Sequence, residues 1–202
     1  FCGVAGIKPT TGRIPCTGNA LPSTGLLAPL TQPGPMARYV DDLSYLLPIM
    51  MGPDNIDPHA RLAPWYDPDA VVVQTLRIGY HADNGIKTPD APIIKSLRDV
   101  IDQVNMNGLK TSEVRPSGLE MTSFVLDRLF SAASTDMFEG LIEDCRTSTP
   151  SKPVQRLLTS TNSELTRTEI EQTINLWHNY QSSMLSFFDD FDILICPVNA
   201  HT

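Results

Sequence analysis

The chain has 202 residues, 41% of them hydrophobic and 19% charged, an ordinary globular balance at a length that suits one domain with a real core. Its net charge of −8, with 23 acidic against 15 basic side chains and no basic cluster, argues against direct contact with a phosphate backbone. No apolar run approaches the ~20 residues needed to cross a bilayer, and no charged leader precedes Phe1, so neither a membrane span nor a natural start is expected.

Residues 1–35 are dense in Gly, Pro and Thr and read as a helix end followed by a long, ordered, turn-rich segment of the kind that wraps a site. Val40, Leu43, Leu46, Leu47 and Met50 then recur at helix spacing, and Gly52 ends the run. Tyr39 offers no short polar side chain to cap that helix, and Pro48 predicts a kink or an early stop inside it. Residues 51–68, with four prolines, predict a surface connection.

Val71, Val72, Val73, Leu76, Ile78 and Tyr80 predict a strand over 71–80. Ile93, Ile94, Leu97, Val100, Ile101 and Val104 form one helical face, with Gly108 suited to the turn that ends it. Residues 109–114 predict a second short strand, which makes a strand, helix, strand crossover and a sheet covered by helices. The apolar positions over 119–144 favour a helix broken near Ser134, and 146–163 reads as a polar stretch. Thr166 and Glu169 match a capping box ahead of a helix carrying Ile170, Ile174, Trp177, Met184, Leu185 and Phe188. Residues 192–197 predict a buried strand. The fold class is therefore α/β, a mixed β-sheet core covered by helices.

Chemistry-bearing residues have bland readings in most places. Arg38 with Asp41 and Asp42 predicts an ion pair at a helix start. Asp54, Asp57, Asp189, Asp190 and Asp192 lack the spacing of a calcium loop and read as solvated turn acids. His59, His81, His178 and His201 have no ligand partners at metal spacing, so no metal site is expected. Ser131, Ser134, Ser182, Ser183 and Ser186 have no glycine-framed sharp turn to present a nucleophile. Gly3, Gly6 and Gly12 fit neither a phosphate loop nor a dinucleotide fingerprint and imply close chain packing. Cys2, Cys16, Cys145 and Cys196 lie far apart and read as free thiols of a reducing compartment, which points to the cytoplasm.

Two linked runs carry a resemblance. Residues 1–15 read Phe-Cys-Gly-Val-Ala-Gly-Ile-Lys-Pro-Thr-Thr-Gly-Arg-Ile-Pro, and residues 34–43 read Gly-Pro-Met-Ala-Arg-Tyr-Val-Asp-Asp-Leu. Together they resemble the stretch just downstream of the nucleophile in the amidase signature family of serine hydrolases, and the closing Phe-Asp-Ile-Leu-Ile-Cys-Pro over 191–197 resembles that family's late strand. The family's nucleophile sits in a Gly-Gly-Ser-Ile-Arg-type segment before the position matching Phe1, with the bridging cis-serine and base lysine further upstream. The resemblance thus implies a partial domain over 1–202, the C-terminal part of a catalytic domain truncated at both ends and incomplete at its N-terminal side. It implies no catalytic, cofactor-binding or metal-binding residue within the chain, and no cofactor.

What the family implies for the parent protein is hydrolysis of a carbon–nitrogen bond in a linear carboxylic amide. The lysine takes a proton through the cis-serine, the serine attacks the amide carbon, backbone N–H groups hold the oxyanion, and water frees the acyl-enzyme. Lys8 matches the Lys-Pro-Thr segment after the nucleophile, not the relay lysine, and reads as structural. Because the middle helices of this half shape the family's acyl-side pocket, Phe124, Phe130 and Met137 are the expected substrate contacts. The implied partners are a small-molecule amide and either a second copy or an amidotransferase partner subunit, with no direct nucleic acid and no membrane. Two alternatives stand beside the hydrolase: the glutaminase component of a tRNA-dependent glutamyl amidotransferase (its A chain), and a non-catalytic fragment. Thr31-Gln32-Pro33 stands where such amidotransferase components tend to carry Asp-Gln, which favours the free-standing hydrolase.

Overall fold

The structure, a computed structural model, describes residues 2–19, 25–160 and 165–201, and at residues 131, 134–136, 157, 159 and 160 the backbone alone. The chain divides into two compact units, Phe1–Val71 with Phe130–Ser163, and Val72–Leu129 with Glu164–Thr202. Phe1 of the first family-like run lies outside the described residues.

In the first unit, β1 (Ala5–Gly6) pairs antiparallel with β2 (Met36–Ala37), Ala5 opposite Ala37. The backbones come so close at this pair that a Cβ on Gly34 would run into the Ile7 carbonyl. Helix α1 (Val40–Met50) packs on both strands and buries Leu43 and Leu47, one turn apart on the same face, against a core that includes Ile14, Cys16, Leu27 and Ala28. Tyr39 gives no side-chain cap, as expected, but Asp42 accepts a bond from the Tyr39 N–H at 3.4 Å.

One of the two outcomes expected at Pro48 is excluded, and the ion pair expected at Arg38 needs correction. Helix α1 runs through Pro48 to Met50 with no early stop, because a proline this close to the C-terminus forfeits a single backbone bond while Leu43 and Leu47 hold the helix in place. Arg38 is exposed and makes no ion pair with Asp41 or Asp42 among the described residues, Asp42 being spent on the Tyr39 amide.

The segment between these elements is stitched by long-range bonds. Gln32 accepts from the Gly12 N–H at 2.6 Å and donates to the Ile14 and Pro33 carbonyls at 3.0 and 3.1 Å. Arg61 N–H donates to the Gly12 carbonyl, and the Arg13 guanidinium donates to the Pro64 carbonyl. Gly12 itself has φ +86°, and a Cβ there would lie 2.5 Å from the His59 carbonyl oxygen. Residues 51–68 are the surface connection the prolines predict, mostly exposed and without helix or strand before Pro68, and they are bonded to the rest of the unit at Gly12, Arg13 and Cys16. Helix α3 (Met121–Asp144) is continuous through residue 134, and α4 (Lys152–Ser160) occupies the stretch read as polar connection.

The second unit is built on a three-stranded parallel sheet of order β4-β3-β5, formed by β3 (Ile78–Tyr80), β4 (Thr111–Glu113) and β5 (Ile193–Ile195). Ile78 stands opposite Thr111 on one side and Ile193 on the other. Helix α2 (Ala91–Met106) makes the crossover from β3 to β4, and Gly108 with φ +82° turns the chain out of it, as the sequence predicts. Helix α5 (Arg167–Asp190) begins on the expected capping box. Glu169 accepts from the Thr166 N–H at 2.8 Å, while Thr166 Oγ1 accepts from the Glu169 N–H at 3.3 Å. Ile78, Leu97, Ile101, Val125 and Leu129 form the core.

The strand expected over 71–80 is confined to 78–80, because Val71, Val72 and Val73 find no partner strand and stay exposed, with Val73–Thr75 in a 3-10 turn. β5 is also less buried than expected, with Ile193 exposed and Leu194 and Ile195 half-buried, since β3 pairs it on one side only among the described residues. Its start is fixed by Arg77 and Asp192. One carboxylate oxygen accepts from the Arg77 N–H at 2.8 Å and from Nε at 3.1 Å, and the other from Nη2 at 2.9 Å. These bonds hold the Asp192 carboxyl down at about 2. Asp192 is thus a register clamp and no mere solvated turn acid. No helix of the described residues is long and apolar enough to cross a membrane.

Candidate functional site

Parallel strands leave the loops at their carboxyl ends to frame a crevice, most openly where neighbouring strands send the chain to opposite sides. β3 is such a strand, since β4 lies on one side of it and β5 on the other. Pairing continues one residue beyond β3, through the His81 N–H and the Ile195 carbonyl at the end of β5, at 3.1 Å. The loops that follow enclose a cavity of ≈ 310 Å³ lined by, among others, His81, Asn84, Lys87, Pro89, Asn199 and His201.

Each loop is fixed by its own short polar residues. Asp83 accepts from the Gly85 N–H at 2.7 Å and from the Thr88 hydroxyl at 3.0 Å, and those two bonds hold its carboxyl below the usual range. Asn84 Oδ1 accepts from the Ile86 and Lys87 N–H groups at 3.0 and 3.2 Å. On the other side Asn199 Oδ1 accepts from the Ala200 N–H at 2.9 Å. The loops are tied together by the Asp90 N–H to the Ala200 carbonyl at 2.9 Å and by His201 Nδ1 against the Asp90 carboxylate at 3.3 Å.

His81 is 7% exposed, and its Nδ1 has no hydrogen-bond partner among the described residues. Burial pulls its pKa below the ordinary histidine value, against an opposing pull from the Asp83 main chain, so the ring is neutral at pH 7. Among the described residues no three His, Cys, Asp or Glu side chains are grouped to hold a metal ion.

His81 and His201 apart, the residues singled out in the sequence fall elsewhere. Phe124 belongs to the second unit and lies under the Arg128 guanidinium, 5.1 Å from its ring centroid, with Arg128 paired to Glu169 at 3.0 Å. Phe130 and Met137 belong to the first unit, seven residues apart on one face of α3. Lys8 is exposed and makes no ion pair or side-chain hydrogen bond among the described residues, so the structural pairing expected of it is not found there.

Asp57, read as a solvated acid, is 7% exposed. Its Oδ2 accepts from the Cys16 N–H and its Oδ1 from the His59 N–H, both at 2.8 Å, while Asp54 accepts from the Ile56 and Asp57 N–H groups. Ser183 Oγ lies 3.2 Å from Ser117 Oγ, and the side chains of Ser131 and Ser134 lie outside the described residues. All four cysteines are free. The cavity escaped sequence reading because its two halves are about a hundred residues apart. The one available signal was a histidine, asparagine or lysine just beyond each short strand.

The family model for Amidase matches residues 1–202. The chain belongs to the amidase family. Over 117 residues this amidase-family chain is 32% identical to the A chain of the Glutamyl-tRNA(Gln) amidotransferase of Hahella chejuensis, covering 56% of the chain and 23% of that relative. Over 119 residues it is 31% identical to the Acylamidase of Rhodococcus erythropolis, covering 57% of the chain and 24% of that relative. Its fold is similar to that of 6-aminohexanoate cyclic dimer hydrolase complexed with substrate, with a TM-score of 0.77 at 20% identity over 100% of the chain and 44% of that protein. The match on the curated relatives thus spans about a quarter of their length, and the amidase resemblance read from residues 1–15 and 34–43 stands as family membership.

Proposed function

We infer that the protein carrying this amidase-family chain hydrolyses the carbon–nitrogen bond of a linear carboxylic amide through a serine acyl-enzyme. The observation that carries this reading is the family match over residues 1–202, joined to a parallel sheet whose strand ends open into a cavity of mixed polar and apolar lining. In this account the nucleophile, the cis-serine and the base lysine lie outside these residues. Residues 1–202 then supply a supporting wall, and the isolated chain is inactive. Phe124, Phe130 and Met137 on α3 are the proposed contacts for the acyl side of the substrate. Four free thiols support a reducing compartment, hence the cytoplasm.

The test is turnover of a panel of simple linear amides by the full-length protein, followed by ammonia or amine release. Turnover with no second protein added supports the free-standing hydrolase. Similarity to the amidotransferase favours a second reading, in which the same chemistry releases ammonia from glutamine for a partner protein. Thr31, standing where such amidotransferase components tend to carry Asp before Gln, supports the first reading. Glutamine-dependent ammonia release that requires a co-purifying partner establishes the second reading and overturns the first.

A further inference from the structure

The cavity at the ends of β3 and β5 has an unbalanced hydrogen-bonding inventory. Two asparagines line it, and in both the side-chain oxygen is consumed by backbone N–H groups: Asn84 Oδ1 by Ile86 and Lys87, Asn199 Oδ1 by Ala200. An amide whose oxygen is held by N–H donors is fixed in its orientation, so each side chain is left with its NH₂ group alone. Neither NH₂ has a partner among the described residues, and neither does the Lys87 ammonium. Neither nearby acid lines the cavity: Asp83 accepts from Gly85 and Thr88 with the Arg115 guanidinium close by, and Asp90 stands against His201. His81 is buried on the same wall with its ring pKa pulled down, so it adds no positive charge there at pH 7.

What remains open to a ligand is a set of donors with one positive charge, and the chemical complement of such a set is a small anion with several acceptor lone pairs. We propose that this cavity binds the carboxylate end of a small organic acid, with Lys87 as counter-ion and the Asn84 and Asn199 amides as neutral donors. A volume of ≈ 310 Å³, at the lower end of the range for small-molecule pockets, suits a small organic acid. Joined to amide hydrolysis, on which this extension alone rests, the substrate class becomes short amides that carry a free acid at the end away from the scissile bond.

The experiment is a titration of the full-length protein with butyrate and, separately, with 2-pentanone, which matches it in size and carbonyl but carries no charge. Ligand-observed NMR reads both without any turnover, so failure of the amidase reading and failure of this one are separable. Butyrate is expected to bind at least about tenfold more tightly than 2-pentanone, the step that one charge-assisted hydrogen bond supplies. Lys87→Gln is expected to weaken butyrate about tenfold, Lys87→Arg to keep it within about threefold, and Asn199→Asp to weaken it about tenfold by setting a carboxylate against the ligand. Lys87 is exposed on a loop, so its variants fold. Equal binding of butyrate and 2-pentanone, or unchanged butyrate binding in Lys87→Gln, overturns the proposal.

Discussion

Replacing Asp57 by alanine removes one acceptor from each of two backbone amides, Cys16 and His59, both bonded at 2.8 Å to a side chain that is 7% exposed. A buried donor left without a partner costs about 1–3 kcal/mol, and with the Cys16 bond the more enclosed of the two, the sum is about 2–4 kcal/mol. Because those amides lie 43 residues apart in a unit closed by few strands, the loss should appear as local opening before global unfolding. Hydrogen–deuterium exchange of the full-length protein, read by mass spectrometry on peptides containing Cys16 and His59, should accelerate by about 30- to 1,000-fold. Asp57→Asn keeps one acceptor and turns the other into a donor facing an N–H, so it should lose at least half as much. The bonds from Cys16 and then His59 hold the Asp57 carboxyl below its ordinary value. Its contribution is therefore present above the unfolded aspartate pKa of about 3.9 and fades as pH falls below it, so parent and Asp57→Ala should converge in acid. Exchange unchanged at pH 7, or a gap that widens below pH 4, refutes the reasoning.

Asp192, held at about 2 by Arg77, should titrate at that value by carboxyl NMR, and its stabilisation should persist above pH 4 and be lost only as pH falls toward 2. Asp192→Asn should abolish that acid-range dependence. Gly34→Ala should destabilise the first unit by more than about 2 kcal/mol in urea melts, because its Cβ meets the Ile7 carbonyl; Gly108→Ala, with open space around it, should cost only the left-handed backbone term of about 1–2 kcal/mol. Variants at Phe124, Phe130 and Met137 of the full-length protein should shift preference among amides of different acyl length while a minimal amide is still turned over. Uniform loss of soluble protein would mark those side chains as core.

Elements set by local pattern were legible in the sequence. The apolar face of α2, the Gly108 exit and the Thr166–Glu169 cap of α5 are all written within a few residues of where they act. Features set by distant partners were not. Val71–Val73 has strand-like side chains, yet strand formation depends on a neighbour that only 78–80 acquires. Asp57 and Asp192 look like turn acids because their partners, Cys16 and Arg77, lie 41 and 115 residues away. The helical α4 was hidden by its polar composition. The candidate cavity was hidden for a related reason, since two ordinary loop asparagines become a donor pair only once each oxygen is seen to be spent on backbone amides.

Labelling of the full-length protein with a fluorophosphonate, with the modified serine mapped by peptide mass spectrometry, tests the central claim most directly. One labelled serine is expected, in a glycine-framed segment outside residues 1–202, with loss of amide turnover in proportion to labelling. A stoichiometrically labelled serine within residues 1–202, or full amide turnover after complete labelling, would contradict the account.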